Sequence, residues 1–125
     1  MGALTEVQEA VAKVAESVGA AVVGIGGGWA QGCGVVVSDG LVLTNAHNIR
    51  GQEVQVSFGP DNVASGRLAG VDVDGDLAVV AVDTGGIDPI GWPQAADSSA
   101  APGTVVFALA NAGGRGLRVT VGLVS

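Results

Sequence analysis

Cysteine, histidine, aromatic and basic side chains are all scarce in this sequence. Its 125 residues include one cysteine, one histidine, two tryptophans, two phenylalanines and no tyrosine. A lone Cys33 excludes an internal disulfide and any cysteine-based metal cluster. The basic residues Lys13, Arg50, Arg67, Arg115 and Arg118 are dispersed and face 12 acidic residues, for a net charge of −7. No cationic face for nucleic acid is therefore expected, since such a face needs clustered Lys and Arg. The same dispersal excludes a polybasic membrane patch. The amino terminus has no basic stretch followed by an apolar one, so no signal peptide is read in it. The longest uncharged run, residues 17–38, has the length of a membrane span, but it carries seven glycines and Gln31. It reads as buried strands joined by a glycine turn, so no membrane insertion is expected.

Glycine, in contrast, is abundant, with 22 residues and no three-residue period, which excludes a collagen-like chain. The glycines separate short valine-rich runs, as expected for many strands linked by tight turns. The length allows one ordinary domain with a modest core.

Leu4, Val7, Val11, Val14 and Val18 follow helical spacing. Thr5 and Gln8 suggest a capping box and Gly19 a stop, giving one helix of roughly a dozen residues. The period then changes. Strands are expected at Val22 to Ile25, Cys33 to Val37, Leu41 to Thr44, Glu53 to Phe58, Val63 to Val73 and Leu77 to Val82. Asp39-Gly40 marks a hairpin and Gly59-Pro60-Asp61-Asn62 a turn. Six short strands at close intervals favour a small closed barrel.

Residues 84–103, rich in Gly, Pro, Ser and Ala, read as a connector. Two further strands, Val105 to Ala110 and Leu117 to Val124, flank the loop Asn111-Ala112-Gly113-Gly114. Two strands cannot close a barrel, and an isolated hairpin is marginal in water. The expected class is thus all-β: a six-stranded barrel with an amino-terminal helix over residues 1–83, a connector, and an incomplete second barrel over 104–125. Uncovered apolar surface on that last part would favour self-association or pairing with a missing half.

The single histidine, His47, lies in Leu43-Thr44-Asn45-Ala46-His47-Asn48, just past a strand. A histidine so placed is most often structural. A second stretch changes the weighing: Asp76 directly precedes the apolar run Leu77-Ala78-Val79-Val80. A carboxylate half-sunk in apolar surroundings needs a hydrogen-bonded partner. An imidazole N–H is one, and a histidine held in one tautomer can act as a general base.

These two stretches resemble the His and Asp motifs of trypsin-like (chymotrypsin-fold) serine proteases. The helix leading into Ala20-Ala21-Val22-Val23-Gly24-Ile25-Gly26, the hairpin over 32–49, residues 96–111 and the closing 118–125 narrow the resemblance to the HtrA/Deg-type branch. The resemblance covers nearly the whole chain, in order. It implies a chymotrypsin-like first barrel, His47 as general base and Asp76 as its orienting carboxylate. It also implies a polypeptide substrate for the complete enzyme, no cofactor, and an extracytoplasmic setting. The sequence departs from the branch at Cys33, where a serine is usual, at Asn48, where an apolar residue is usual, and in the shortened loop after Asn111. The largest departure is that no Gly-x-Ser-Gly-Gly occurs. The nucleophile, the oxyanion-hole amides and the primary specificity pocket are therefore not in these residues.

Rival readings are weaker. Asp97-Ser98-Ser99 lacks the glycines that turn backbone N–H groups toward an oxyanion. A Cys33–His47–Asp76 thiol triad departs from the family order. Asp72, Asp74 and Asp76 alternate, but the calcium-loop pattern needs glycine where Leu77 stands. Gly26-Gly27-Gly28 is not followed by Lys-Ser/Thr or a helix, so it reads as a turn rather than a phosphate cradle. Trp29 and Trp92 are expected to pack in the core. Two functions stand: the amino-terminal part of a serine endopeptidase, inactive alone, and a non-catalytic barrel used for binding.

Overall fold

The computed structural model describes residues 2–26, 32–91, 101–111 and 116–125. Trp29, Trp92, the Gly27-Gly28 turn, Asp97-Ser98-Ser99 and most of the loop after Asn111 lie outside the described residues.

The helix α1 runs over Ala3–Val18 and so begins earlier than the capping-box reading placed it. Gly2 is its N-cap and no side chain caps it. Thr5 is consequently inside the first turn, where its hydroxyl cannot serve as a cap; the Gly2 carbonyl instead accepts from Glu6 N–H at 3.1 Å. Gly19 does not end the helix through a left-handed residue. It is right-handed at φ −58° and leads into a 3₁₀ turn over Gly19–Ala21. Its bare Cα answers a different need, because a Cβ there would lie 2.9 Å from Leu117 Cδ2. No residue of α1 is buried, and Leu4 is 73% exposed, so the apolar stripe of the helix is only lightly covered.

Six strands follow: β1 Val22–Ile25, β2 Gly32–Ser38, β3 Leu41–Thr44, β4 Glu53–Gly59, β5 Asn62–Asp72 and β6 Leu77–Ala81. They close into an antiparallel barrel in the order β1-β2-β3-β6-β5-β4. Closure leaves no free edge among the six. The period-two alternation of the sequence becomes the inside–outside division of the barrel. Val36, Val42, Val54, Val56, Ala78 and Val80 point inward and, with Val23 and Ile25, form the core. Valine suits this role because its branched Cβ packs well on a pleated, strongly curved surface.

Small residues let the strands approach where the barrel is tightest. A Cβ at Gly66 would stand 2.7 Å from the Ala81 carbonyl oxygen, and one at Gly34 would stand 2.8 Å from Val42 Cγ1. The β2–β3 hairpin turns on Asp39-Gly40, with Gly40 at φ +80°, as the Asp-Gly pair implies. Thr84, 1% exposed, locks that turn from beyond β6. Its hydroxyl accepts from Gly40 N–H at 3.0 Å and donates to Asp39 Oδ1 at 3.3 Å. Residues 82–90 then run back over the barrel, where Ile90 N–H donates to the Val36 carbonyl at 2.9 Å.

The last two strands, β7 Val105–Ala110 and β8 Arg118–Leu123, pair only with each other. Val105, Val106, Val121 and Leu123 of this hairpin are exposed. Among the described residues, its hydrogen-bonded tie to the barrel is Asn111. That side chain donates to the Val22 carbonyl at 3.3 Å and accepts from Gly116 N–H at 3.0 Å, while its own N–H reaches Cys33 Sγ at 3.2 Å. Asn111→Ala would leave the Val22 carbonyl and the Gly116 amide without these partners, at a cost of about 1–3 kcal/mol. The expected outcome is faster amide hydrogen exchange across β7 and β8, with the exchange of β2, β3 and β6 unchanged.

Candidate active site

The pairing of β3 with β6 brings His47 and Asp76 together. Thr44 stands opposite Ala78, so the chain leaving β3 emerges beside the chain entering β6. His47 follows Thr44 by three residues on a single 3₁₀ turn, Ala46–Asn48, and Asp76 precedes Ala78 by two. That turn is closed by Asn48 N–H on the Asn45 carbonyl at 3.1 Å and by Ile49 N–H on the Ala46 carbonyl at 3.0 Å. Residues 29 apart in sequence thus meet at one rim of the barrel.

The Asp76 carboxylate holds His47 twice. Oδ1 accepts from the His47 backbone N–H at 2.9 Å, and Oδ2 lies 2.7 Å from His47 Nδ1. An ionised carboxylate only accepts hydrogen bonds, so Nδ1 is the nitrogen that donates to it, and the tautomer this contact favours leaves Nε2 bare. Two contacts to one residue also fix the ring's orientation, which a single contact would leave free to swing. The backbone N–H of His47, and then its ring, hold the Asp76 carboxyl below the usual aspartate value.

The setting is more open than the expected half-sunk carboxylate. The side chains of His47 and Asp76 are 67% and 45% exposed, and Leu77, Val71 and Val73 beside them are exposed as well. The run after Asp76 begins with outward-facing Leu77, and burial starts only at Ala78. Desolvation therefore contributes little here, and hydrogen bonding dominates. Asp76 is in addition the sole non-glycine with positive φ among the described residues, at +55°. A left-handed aspartate costs on the order of 1 kcal/mol, which the surrounding bonds must offset. Asn45 supplies one, donating from Nδ2 to the Asp76 carbonyl at 3.1 Å.

Among the described residues, neither the thiol triad nor the calcium loop is assembled. Cys33 Sγ accepts from Asn111 N–H, and among the described residues it makes no hydrogen bond to His47. Asp72 Oδ1 caps the turn by accepting from Gly75 N–H at 3.1 Å, and Asp74 is exposed. Asp72 ends β5, and Asp74 and Asp76 lie in the turn over residues 73–76. No three His, Cys, Asp or Glu side chains are grouped to hold a metal among the described residues. Asn48, an unusual residue after the histidine, donates to Thr44 Oγ1 at 3.2 Å and packs where a Cβ on Gly32 would come within 2.5 Å. The polar residue and the bare glycine fit one another. The partners of Asn45, Thr84 and Asn111 are not legible in the sequence; isolated polar residues at strand ends carry no periodic signal.

The lowered Asp76 value has a definite pH consequence. A depressed acid adds stability that is present above its ordinary pKa of 3.8 and is lost as pH falls through the folded value below 3.8. Carbon-13 titration of the Asp76 carboxyl should therefore give a midpoint below 3.8. In His47→Ala the midpoint should rise yet stay below 3.8, because the backbone N–H at position 47, the larger cause, remains.

Comparison with known proteins identifies the family of the chain. Residues 32–125 match the family model described as trypsin-like peptidase domain. HhoB of Synechocystis sp. is 35% identical over 99 residues, covering 76% of this chain and 23% of that protein. The serine endoprotease from Yersinia pestis superposes with a TM-score of 0.77 at 28% identity, over 91% of this chain and 43% of that one. Deg5 gives a TM-score of 0.79 at 27% identity, over 96% of this chain and 64% of that one. The chain therefore spans about a quarter of the curated relative that it matches. With the family model matched over residues 32–125 and the barrel and the helix before it superposing on solved relatives, this chain belongs to the trypsin-like peptidase family, in its HtrA/Deg-type branch.

Proposed function

We propose that these residues supply the His–Asp half of the triad of a trypsin-like serine endopeptidase. The observation that carries this reading is the double hold of Asp76 on His47, at 2.9 Å to the backbone and 2.7 Å to the ring. In the proposed reaction His47 Nε2 takes the proton of a serine hydroxyl as its oxygen attacks the scissile carbonyl. Asp76 stabilises the imidazolium that results, and His47 then gives the proton to the leaving amine. An acyl-enzyme remains, and a water activated by the same nitrogen hydrolyses it. The substrate class is a polypeptide. Residues 1–83 would form the first catalytic barrel, 84–103 a connector, and 104–125 the opening hairpin of a second barrel.

The 125 residues hold no Gly-x-Ser-Gly-Gly, so the serine and the oxyanion donors must come from elsewhere. Losing one oxyanion donor alone costs about 10²–10³ in rate. The purified chain is accordingly expected not to degrade casein and not to be labelled by a fluorophosphonate. Labelling at Ser98, Ser99 or Ser125, or turnover that disappears in His47→Ala, would mean that the nucleophile lies within these residues. The exposed apolar side chains of β7 and β8 support pairing with a second half or with another copy. A non-catalytic binding role would be favoured instead if the open reading frame ends after Ser125 and the intact mass matches this chain.

A further inference from the structure

We propose that Asn45 is a positioning residue, whose side-chain amide holds the left-handed turn that aims the Asp76 carboxylate at His47. The inference rests on the His–Asp reading above and adds a third member to it. Asn45 joins both arms of the dyad. Its backbone carbonyl accepts from Asn48 N–H at 3.1 Å, which closes the 3₁₀ turn carrying His47. Its Nδ2 donates to the Asp76 carbonyl at 3.1 Å, which fixes the turn carrying the carboxylate.

That second turn needs such a bond. Asp76 has φ +55°, a conformation an L-residue leaves readily when nothing holds it. On its amino side the turn is held by Asp76 N–H on the Val73 carbonyl at 3.2 Å and by Gly75 N–H on Asp72 Oδ1 at 3.1 Å. On its carboxyl side the ladder resumes only at Leu77, opposite Asp72. The peptide between Asp76 and Leu77 is the part whose rotation would carry the carboxylate away from the ring, and the Asn45 amide grips that peptide's oxygen. Asn45 itself is exposed, so it adds little to the core and its replacement should leave the barrel intact. A serine, an alanine or an aliphatic residue at this position could not reach the same carbonyl with a donor.

His47 is the sole histidine, so its ring signals report on the dyad without ambiguity. The experiment is nitrogen-15 spectroscopy of the imidazole in the full chain at about pH 9, where a free imidazole is neutral, reading the ratio of Nδ1–H to Nε2–H tautomers. The wild-type chain should hold the Nδ1–H form. Asn45→Leu, of similar shape but without a donor, and Asn45→Ala should each lower that ratio by roughly three- to tenfold, the effect of one lost hydrogen bond, with a single cooperative thermal unfolding transition retained. Asp76→Asn, which leaves the Asn45 bond in place, should abolish the Nδ1–H preference. If Asp76→Asn shifts the tautomer and neither Asn45 variant does, the positioning role is wrong while the dyad stands. If Asp76→Asn leaves the tautomer unchanged, the dyad reading itself fails.

Discussion

His47→Ala should lower kcat by about 10⁶ in an enzyme where these residues are joined to a second barrel bearing the serine. Asp76→Asn should lower it by about 10⁴, because the amide can donate to Nδ1 and thereby favour the tautomer with its proton on Nε2, where the base is needed. The two effects should not add. Once the ring is gone, the carboxylate has nothing to orient, so the double variant should be no slower than His47→Ala alone. KM should change little in each case, since neither residue is expected to carry the binding of a long peptide. Steady-state kinetics on a casein-derived peptide measure all of this. A loss of less than about tenfold for His47→Ala would exclude it as the general base. Equal losses in kcat and 1/KM would point instead to a residue that binds substrate.

The second large effect concerns the fold. Val80→Asp should unfold the chain. Val80 is fully buried on β6, paired with Val42 of β3 on one side and with Leu68 of β5 on the other. The barrel interior around it is closed, and an ionised carboxylate there would have no donor and no water. The cost of burying such a group without a partner is several kcal/mol, comparable with the whole stability of a small domain, about 5–15 kcal/mol. Val80→Ala is the graded control. It removes two methyl groups and leaves a cavity, for about 2 kcal/mol, and should lower Tm while keeping a cooperative transition. Far-UV circular dichroism against temperature distinguishes them. A cooperative Val80→Asp melt near that of the wild type would show that β6 does not line a closed core.

Part of the inward face of the barrel was available from sequence, and the reason is periodicity. Glu53-Val54-Gln55-Val56 states which side chains share a face, because a strand turns its residues alternately inward and outward. Leu77-Ala78-Val79-Val80, in contrast, is apolar throughout, and only the barrel shows that Ala78 and Val80 face inward. The turn chemistry was equally local. Asp39-Gly40 and Pro60-Asp61 connect their strands where the sequence placed them, since glycine, proline and aspartate fix a turn through their own backbone preferences. The helix was found but its start was not: Thr5 has the right residue type for a cap, and the chain starts its helix at Ala3 with Gly2 as N-cap. Helix ends depend on small differences that tertiary contacts outweigh.

The His and Asp motifs were legible as a resemblance, yet the sequence did not contain their geometry. That Thr44 pairs with Ala78 is a property of barrel closure, and only this register places His47 Nδ1 at 2.7 Å from Asp76 Oδ2. The openness of the pair was likewise invisible, since exposure depends on what packs above the rim rather than on the residues of the rim. Asn45, Thr84 and Asn111 belong to the same class. Each is a single polar side chain whose partner lies 31, 44 or 89 residues away. Local sequence thus determined the strands, the turns and the inward face of the alternating strand, because those follow from backbone preference and the alternation of side chains along one strand. The tertiary structure alone decided which rim residues meet, how exposed they are and which amides hold them, because those depend on the registers by which distant strands close the barrel.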